Sequence, residues 1–167
     1  MISVVIAAYN TEKYIEKCLE SLKKQTYTDF EAIVVVDGAT DKTLEICEKF
    51  SGQDRRFITV YRKNGGLAAA RNTGLEKCGG EYVAFVDSDD YVGPDYLEIL
   101  ESAIKINNCD ISACGYILED ENGNERYRTE RKDELMDNEM FLNNMLIPLN
   151  RSYGAFVWNK LYKNELI

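Results

Sequence analysis

The residues best suited to chemistry in this sequence are acidic side chains that directly follow apolar stretches. The run Asp87–Asp90 (DSDD) follows the apolar segment Tyr82–Val86. If a strand continued into this run, Asp87 and Asp89 would share a side, because side chains alternate along a strand. Two carboxylates on one side suit a hard cation such as Mg²⁺ or Mn²⁺ that also holds a diphosphate. The alternative interpretation is that these acids cap the turn before Pro94.

Two other apolar stretches also end in polar residues. Tyr9 follows Ile2–Ala8, and Asp37 follows Ala32–Val36. Ligands of open parallel sheets bind beyond the carboxyl ends of the strands, so we expect these residues to line one polar crevice. Asp37 is suited to accept hydrogen bonds from the N–H of a base such as uracil. The alternative is an ordinary turn between a strand and a helix.

The segment Asn64–Gly66 has the composition of an anion-binding loop at the start of a helix. It matches neither the dinucleotide fingerprint nor the P-loop pattern. Arg71, in the helix that follows, is placed to reach phosphate or ribose oxygens, and an exposed salt bridge along the helix fits its spacing equally well. Trp158–Lys160 is interpreted as core packing followed by a surface cation.

Composition excludes several classes of function. The chain has 167 residues, 45% hydrophobic residues, a net charge of −9 and no histidine. The missing histidine excludes Ser-His-Asp catalysis and histidine-ligated metals. The negative charge argues against a nucleic-acid partner and makes a bridging cation necessary for binding a diphosphate.

The five cysteines form no CxxC pair, and no apolar stretch approaches the roughly 20 residues of a membrane span. Reduced thiols and the lack of a signal peptide predict a cytoplasmic chain. In the full-length protein we expect it to be peripheral at the inner face of the membrane.

The apolar segments lack alternation and are separated by helical segments, which is typical of a parallel sheet that is covered on both faces. We therefore predict an α/β fold with a mostly parallel, Rossmann-like sheet. Further along the chain, Ile111–Tyr116 is predicted to be a strand, Glu119–Arg131 an exposed hairpin or loop, and Asn138–Leu146 an amphipathic helix.

In this order, the motifs resemble those of the family 2 glycosyltransferases with the GT-A fold. The resemblance is carried by Ser3–Thr43, Asn64–Leu75 and Gly80–Glu98. Val157–Ile167 resembles a segment of bacterial surface-polysaccharide members. The resemblance implies inverting transfer of a sugar from a nucleoside diphosphate, UDP by default, to a glycan or lipid-linked acceptor.

The resemblance also implies roles for individual residues. Asp89 and Asp87 would hold Mn²⁺ or Mg²⁺. The nucleotide-binding positions would be Ala7, which stands where the family has a proline, and Tyr9, Asp37, Arg71, Asp87 and Ser88. Residues 1–109 would form the donor-binding half, and residues 110–167 the start of an incomplete acceptor-side half of one structural domain. The family's catalytic base is expected beyond Ile167, so we assign none.

Other functions remain to be compared with this one. A non-catalytic nucleotide-sugar-binding module would share the donor site but not the base. A sugar-nucleotide pyrophosphorylase would need a glycine-rich, basic loop after the first strand, which Tyr9–Glu12 does not provide. A phosphoreceiver domain would need an acidic pair at that position, and Ala8–Asn10 has none.

Overall fold

The fold is a layered α/β arrangement around one central sheet. The computed structural model describes residues 1–129, 133–146 and 156–167, with the backbone alone at 145 and 146. The strands are β1 (Ile2–Ala8), β2 (Phe30–Asp37), β3 (Phe57–Arg62), β4 (Tyr82–Asp87), β5 (Ile111–Ala113), β6 (Ile117–Glu119), β7 (Glu125–Arg128) and β8 (Lys160–Lys163). The helices are α1 (Ile15–Lys23), α2 (Thr43–Gln53), α3 (Leu67–Leu75), α4 (Tyr96–Ile106) and α5 (Asn138–Leu146), and a 3-10 turn covers Asn164–Leu166.

The central sheet has six strands in the order β3-β2-β1-β4-β8-β5. The first four are parallel to one another, and β8 runs antiparallel to both β4 and β5. The chain builds outward from β1 to β3, then returns to place β4 on the other side of β1. The strand order therefore reverses between β1 and β4, which is where open α/β sheets bind their ligands. The predicted, mostly parallel sheet is confirmed.

Helices cover both faces of this sheet. Val4 and Ile6 of β1 belong to the main core, together with buried residues of α1, α2 and α4. Val5 points to the opposite face, where it packs near Leu75 of α3. Because both faces are buried, the central strands are apolar throughout, and each fully buried Ile or Val side chain contributes about 1.5–3 kcal/mol.

Helix α3 lies very close to the sheet because small residues face it. Ala70 and Gly74 are the buried residues of this helix. A Cβ atom added at Gly74 would overlap Cγ1 of Val5. Only glycine therefore permits this approach, which places the start of α3 next to the carboxyl end of β2.

The second half of the chain differs in detail from its prediction. The strand expected over Ile111–Tyr116 ends at Ala113. Strands β6 and β7 form an exposed hairpin that begins at Ile117, just before the charged segment predicted over Glu119–Arg131. Residues 130 and 131 of that segment lie outside the described residues. The helix at Asn138–Leu146 has the predicted bounds. Within the described ranges, no helix is both long enough and apolar enough to cross a bilayer.

Candidate functional site

The carboxyl ends of β1, β2 and β4 bring most of the predicted site residues to one edge of the sheet. Ala7 is in register with Asp87 of β4 and with Val35 of β2. Tyr9 follows at the end of β1, and its side chain is 52% exposed. The site residues predicted from three separate stretches thus lie along the strand-order reversal.

The turn after β1 is bonded to the turn after β2. Asn10 adopts a positive φ of 52°, and its side-chain oxygen accepts a hydrogen bond from the Thr40 amide at 2.8 Å. The Thr11 amide donates to the Thr43 hydroxyl at 2.9 Å. These bonds hold the chain directly after Tyr9, and β1 holds it directly before, so the exposed ring belongs to a constrained turn.

Asp37 lies inside the protein and is bonded to the loop before α3. It is 3% exposed, and its carboxylate accepts hydrogen bonds from the amides of Gly65 at 3.0 Å and Gly66 at 2.7 Å. The Arg62 guanidinium lies 3.2 Å from the same carboxylate. The structure thus gives Asp37 a role in fixing the loop at the start of α3, and its contact with a nucleobase stays a prediction.

Arg71 pairs with the end of β4. Its guanidinium Nη2 lies 2.6 Å from Oδ1 of Asp87, and its centre lies 6.0 Å from the Phe85 ring. The interpretation of Arg71 as an exposed salt bridge along its own helix is wrong, because its partner belongs to the sheet. The pair brings the Arg71 guanidinium to the crevice and holds one carboxylate oxygen of Asp87 in place.

The acidic loop, Asp87–Asp90, is a turn. Strand β4 ends at Asp87, and the Asp90 amide donates to the Asp87 carbonyl at 3.0 Å. Alternation along a strand therefore does not relate Asp87 to Asp89. Ser88 is 5% exposed, whereas Asp89 and Asp90 are exposed.

Asp90 lies within the electrostatic field of the other two carboxylates of this loop. Loss of hydration, then the negative charges of Asp89 and Asp87, raise the pKa of Asp90 to about 6. A divalent cation would offset this repulsion, and carboxylate oxygens are the ligands that Mg²⁺ and Mn²⁺ prefer. The residues present fit such an ion, although no group of three acidic, cysteine or histidine side chains in the described part of the chain has the arrangement of a formed metal site.

Lys160, the first residue of β8, lies inside the protein, in register with Ala113 of β5, and the residues after it pair with the first half of β4. It is 2% exposed, and its ammonium donates to the Phe156 carbonyl at 2.8 Å and to Oδ1 of Asn159 at 3.0 Å. Burial lowers the pKa of Lys160 to about 8. The expected surface cation is therefore wrong. No local signal in Trp158–Lys160 indicates this burial, which follows from the pairing of β8 with β4 and β5.

Comparison with known proteins supplies the family. The sequence matches the model of glycosyl transferase family 2 over residues 3–164. The chain belongs to this family. It is 39% identical over 171 residues to the glycosyltransferase GlyA of Streptococcus pneumoniae, covering 99% of this chain and 25% of GlyA. It is 35% identical over 176 residues to GlyG of the same species, covering 99% of this chain and 58% of GlyG.

Solved structures agree with this assignment. Residues 1–349 of S. aureus TarS in complex with UDP-GlcNAc superpose with a TM-score of 0.74 at 29% identity, covering 99% of this chain and 46% of that TarS chain. The same TarS 1–349 chain in complex with UDP gives a TM-score of 0.70 at 27% identity, covering 99% of this chain and 47% of that chain. A Pyrobaculum calidifontis mannosyltransferase, solved with GDP-Man and Mn²⁺, shares the fold at a TM-score of 0.60, with 24% identity over 68% of this chain and 34% of its own. The fold of this glycosyltransferase chain is GT-A, and the chain spans less than half of the TarS 1–349 chain.

Proposed function

We propose that this family 2 glycosyltransferase binds a nucleoside-diphosphate sugar, with UDP as the nucleotide, and transfers the sugar with inversion to a glycan or lipid-linked acceptor. The observation that carries this proposal is the single polar edge at the strand-order reversal. It combines an exposed aromatic ring, a glycine loop at a helix start, an arginine and an acidic loop. The complexes of the related TarS with UDP and UDP-GlcNAc support the choice of nucleotide.

Each side chain has a distinct task in this proposal. The exposed Tyr9 ring offers a face for the nucleobase. Asp37 holds the glycine loop, and Arg71 presents positive charge beside Asp87. Ala7 and Ser88 border the nucleotide at the ends of β1 and β4.

The acidic loop is proposed to bind the metal through Asp89, together with Asp87. Bound Mn²⁺ or Mg²⁺ would neutralise negative charge on the departing diphosphate. Arg71 already holds one Asp87 oxygen at 2.6 Å, so this carboxylate is oriented before any ion arrives. No residue of this chain is assigned as the base that deprotonates the acceptor.

The two halves of the chain would divide the work. Residues 1–109 would bind the donor, and residues 110–167 would begin the acceptor side within one structural domain. Strands β5 and β8 of the second half pair directly with the sheet that carries the donor residues. We further propose a cytoplasmic location, with peripheral attachment to the inner face of the membrane in the full-length protein.

Thermal unfolding with UDP, GDP or dTDP, each with and without Mn²⁺, tests the donor site. A ligand at 100 times its Kd adds about 2.7 kcal/mol to the stability of the folded state. For a chain of this size, that corresponds to a Tm increase of about 5–10 °C. We expect this increase with UDP only when Mn²⁺ is present, and no increase with any nucleotide would contradict the proposal.

The Asp89→Ala variant tests the metal assignment, with Glu121→Ala as its control. Both residues are exposed acids, and Glu121 lies in the hairpin between β6 and β7. We expect Asp89→Ala to lose the Mn²⁺-dependent increase in Tm and Glu121→Ala to keep it. Equal responses would exclude Asp89 as a ligand. Binding without sugar transfer by the full-length protein would instead support a non-catalytic nucleotide-sugar-binding module.

A further inference from the structure

The backbone around the acidic loop is bonded to polar side chains that lie along α1 and just beyond it. These side chains are Cys18, Ser21 and Gln25, spaced three and four residues apart as on one face of a helix. We call them the α1 polar row. The Cys18 thiol lies 3.7 Å from the Asp87 carbonyl, and the Ser21 hydroxyl accepts a hydrogen bond from the Val92 amide at 3.2 Å.

Gln25 makes the most extensive contacts of this row. Its side-chain nitrogen donates to the Gly93 carbonyl at 2.6 Å and to the Ser21 carbonyl at 3.2 Å. Its side-chain oxygen accepts a hydrogen bond from the Leu97 amide at 2.9 Å. Leu97 lies in the first turn of α4, where backbone amides have no partner within the helix. Gln25 thus joins α1 to the chain on both sides of Pro94.

The chemistry of these partners determines how the Gln25 amide is oriented. Two carbonyl groups face its nitrogen and one amide N–H faces its oxygen, so the reversed amide would oppose like groups at all three contacts. Gln25 is 5% exposed, and a buried polar group that loses such partners destabilises the arrangement around it. The segment from Val92 to Leu97 is therefore held in one position relative to α1.

The acidic loop is held at its start, where Asp87 ends β4 and pairs with Arg71 and where Ser88 is buried. Its second half depends more on support from neighbouring elements, because Asp89 and Asp90 are exposed and a single turn bond joins the Asp90 amide to the Asp87 carbonyl. Their negative charges repel one another, which favours spreading of the loop. A neutral amide, hydroxyl and thiol hold the adjoining backbone without adding a charge that would compete for a cation.

We propose that Gln25 is a positioning residue that sets the acidic loop in the geometry that binds a divalent cation and the diphosphate of the donor. Gln25 acts from behind the loop, through Gly93 and Leu97, and touches neither ligand. This role rests on the proposed function, because it concerns the same site. A side chain that hydrogen-bonds directly to a metal ligand typically changes metal affinity about 10–100-fold when it is replaced, and because Gln25 acts through the intervening backbone we expect an effect near the lower end of this range.

The test compares Gln25→Met with Ser3→Ala. Methionine keeps the length of the side chain and removes all three hydrogen bonds. Ser3 is fully buried at the opposite edge of the sheet, where its hydroxyl accepts from the Gly80 amide at 2.8 Å and donates to Glu31 at 2.6 Å. Ser3→Ala therefore removes buried hydrogen bonds far from the acidic loop. Ser21→Ala removes the acceptor of the Val92 amide and a bond from the Ser21 hydroxyl to the Cys18 carbonyl within the same helix at 2.6 Å. Because it breaks only one bond to the segment after the acidic loop, it is a milder variant of the same row.

Two measurements are made on each variant. Hydrogen exchange of the backbone amides of residues 87–97 reports whether the loop is held without any ligand. Electron paramagnetic resonance of free Mn²⁺, titrated with protein and UDP, reports the affinity of the site. We expect Gln25→Met to speed exchange in this segment and to weaken Mn²⁺–UDP binding about 10-fold, with Ser21→Ala changed in the same direction and Ser3→Ala unchanged in both.

The results separate this inference from the proposed function. If the amides of residues 87–97 exchange at the same rate in Gln25→Met as in the wild type, the inference is overturned. It is also overturned if Ser3→Ala loses as much Mn²⁺–UDP affinity as Gln25→Met. If Gln25→Met does not fold, the same two criteria apply to Ser21→Ala. A wild-type protein that binds no UDP with Mn²⁺ contradicts the proposed function, and hydrogen exchange then decides whether Gln25 holds the loop.

Discussion

Replacing Asp37 by alanine tests whether this buried carboxylate holds the loop before α3. The substitution removes two hydrogen bonds from a charged acceptor to the amides of Gly65 and Gly66. Each such bond contributes about 1.5–3 kcal/mol, and the lower figure applies because water can reach the glycines. The ion pair with Arg62 adds less than about 1 kcal/mol, because the Arg62 side chain is 26% exposed and water screens its charge. We therefore expect a loss of about 3 kcal/mol.

Urea unfolding followed by far-UV circular dichroism measures this loss. The midpoint should fall while the slope with urea stays constant, and the Tm should fall by about 6–12 °C. Asp37→Asn keeps one acceptor oxygen, so its free energy of unfolding should fall by about half as much as that of Asp37→Ala. Asp110→Ala is the matched control, because Asp110 pairs with Lys163 at 2.8 Å but is 66% exposed, so its loss should be below about 1 kcal/mol. Equal, small losses for Asp37→Ala and Asp110→Ala would refute this reasoning.

Two further predictions follow from glycine packing and from the buried lysine. Gly74→Ala should destabilise the protein by about 1–3 kcal/mol in urea unfolding, because the new Cβ overlaps Val5. Gly52→Ala in α2 meets no atom within 4 Å and should instead stabilise by about 0.5–1 kcal/mol, so a gain at both positions would contradict the packing argument. For Lys160, the folded pKa of about 8 lies below the unfolded value of about 10.4, so the unfolded chain binds more protons between these values. The free energy of unfolding of the wild type should therefore rise by about 1–2 kcal/mol relative to that of Lys160→Met between pH 8 and pH 10. A difference that stays constant over this range would contradict the lowered pKa of Lys160.

The sequence predicts the central strands well because burial on both faces leaves a local signal. The apolar run Ile2–Ala8 coincides with β1, and Ala32–Val36 lies within the longer β2. Such runs can be recognised in the sequence because side chains on both faces of the strand are buried, which makes nearly every residue apolar.

The position of β8 has no comparable local signal. It is four residues long, two of them lysines, and it lies between β4 and β5 although it follows both by a long stretch of chain. Strand pairing over such a distance depends on the whole fold. The burial of Lys160 follows from this pairing, so the sequence alone could not show it.

The candidate site was predictable as a group of residues but not in its internal contacts. The carboxyl ends of parallel strands meet at one edge, which brings Tyr9, Asp37 and Asp87 to the same side of the sheet. Whether a carboxylate faces solvent or protein depends on neighbours from other elements. The Gly65 and Gly66 amides turn Asp37 inward, and Arg71 binds Asp87 across from α3.

The late position of β8 has a consequence for the order in which the protein folds. In the described residues, strand β5 has no sheet partner other than β8. Tyr82 of β4 pairs with Lys163 of β8, about 80 residues further along the chain. Because this pairing closes a long loop, it forms slowly. During synthesis, β1 to β4 emerge first and can assemble with one side of β4 still unpaired. An open strand edge can pair with another chain. The growing protein is therefore most exposed to self-association in the interval between the emergence of β4 and the arrival of Lys160–Lys163.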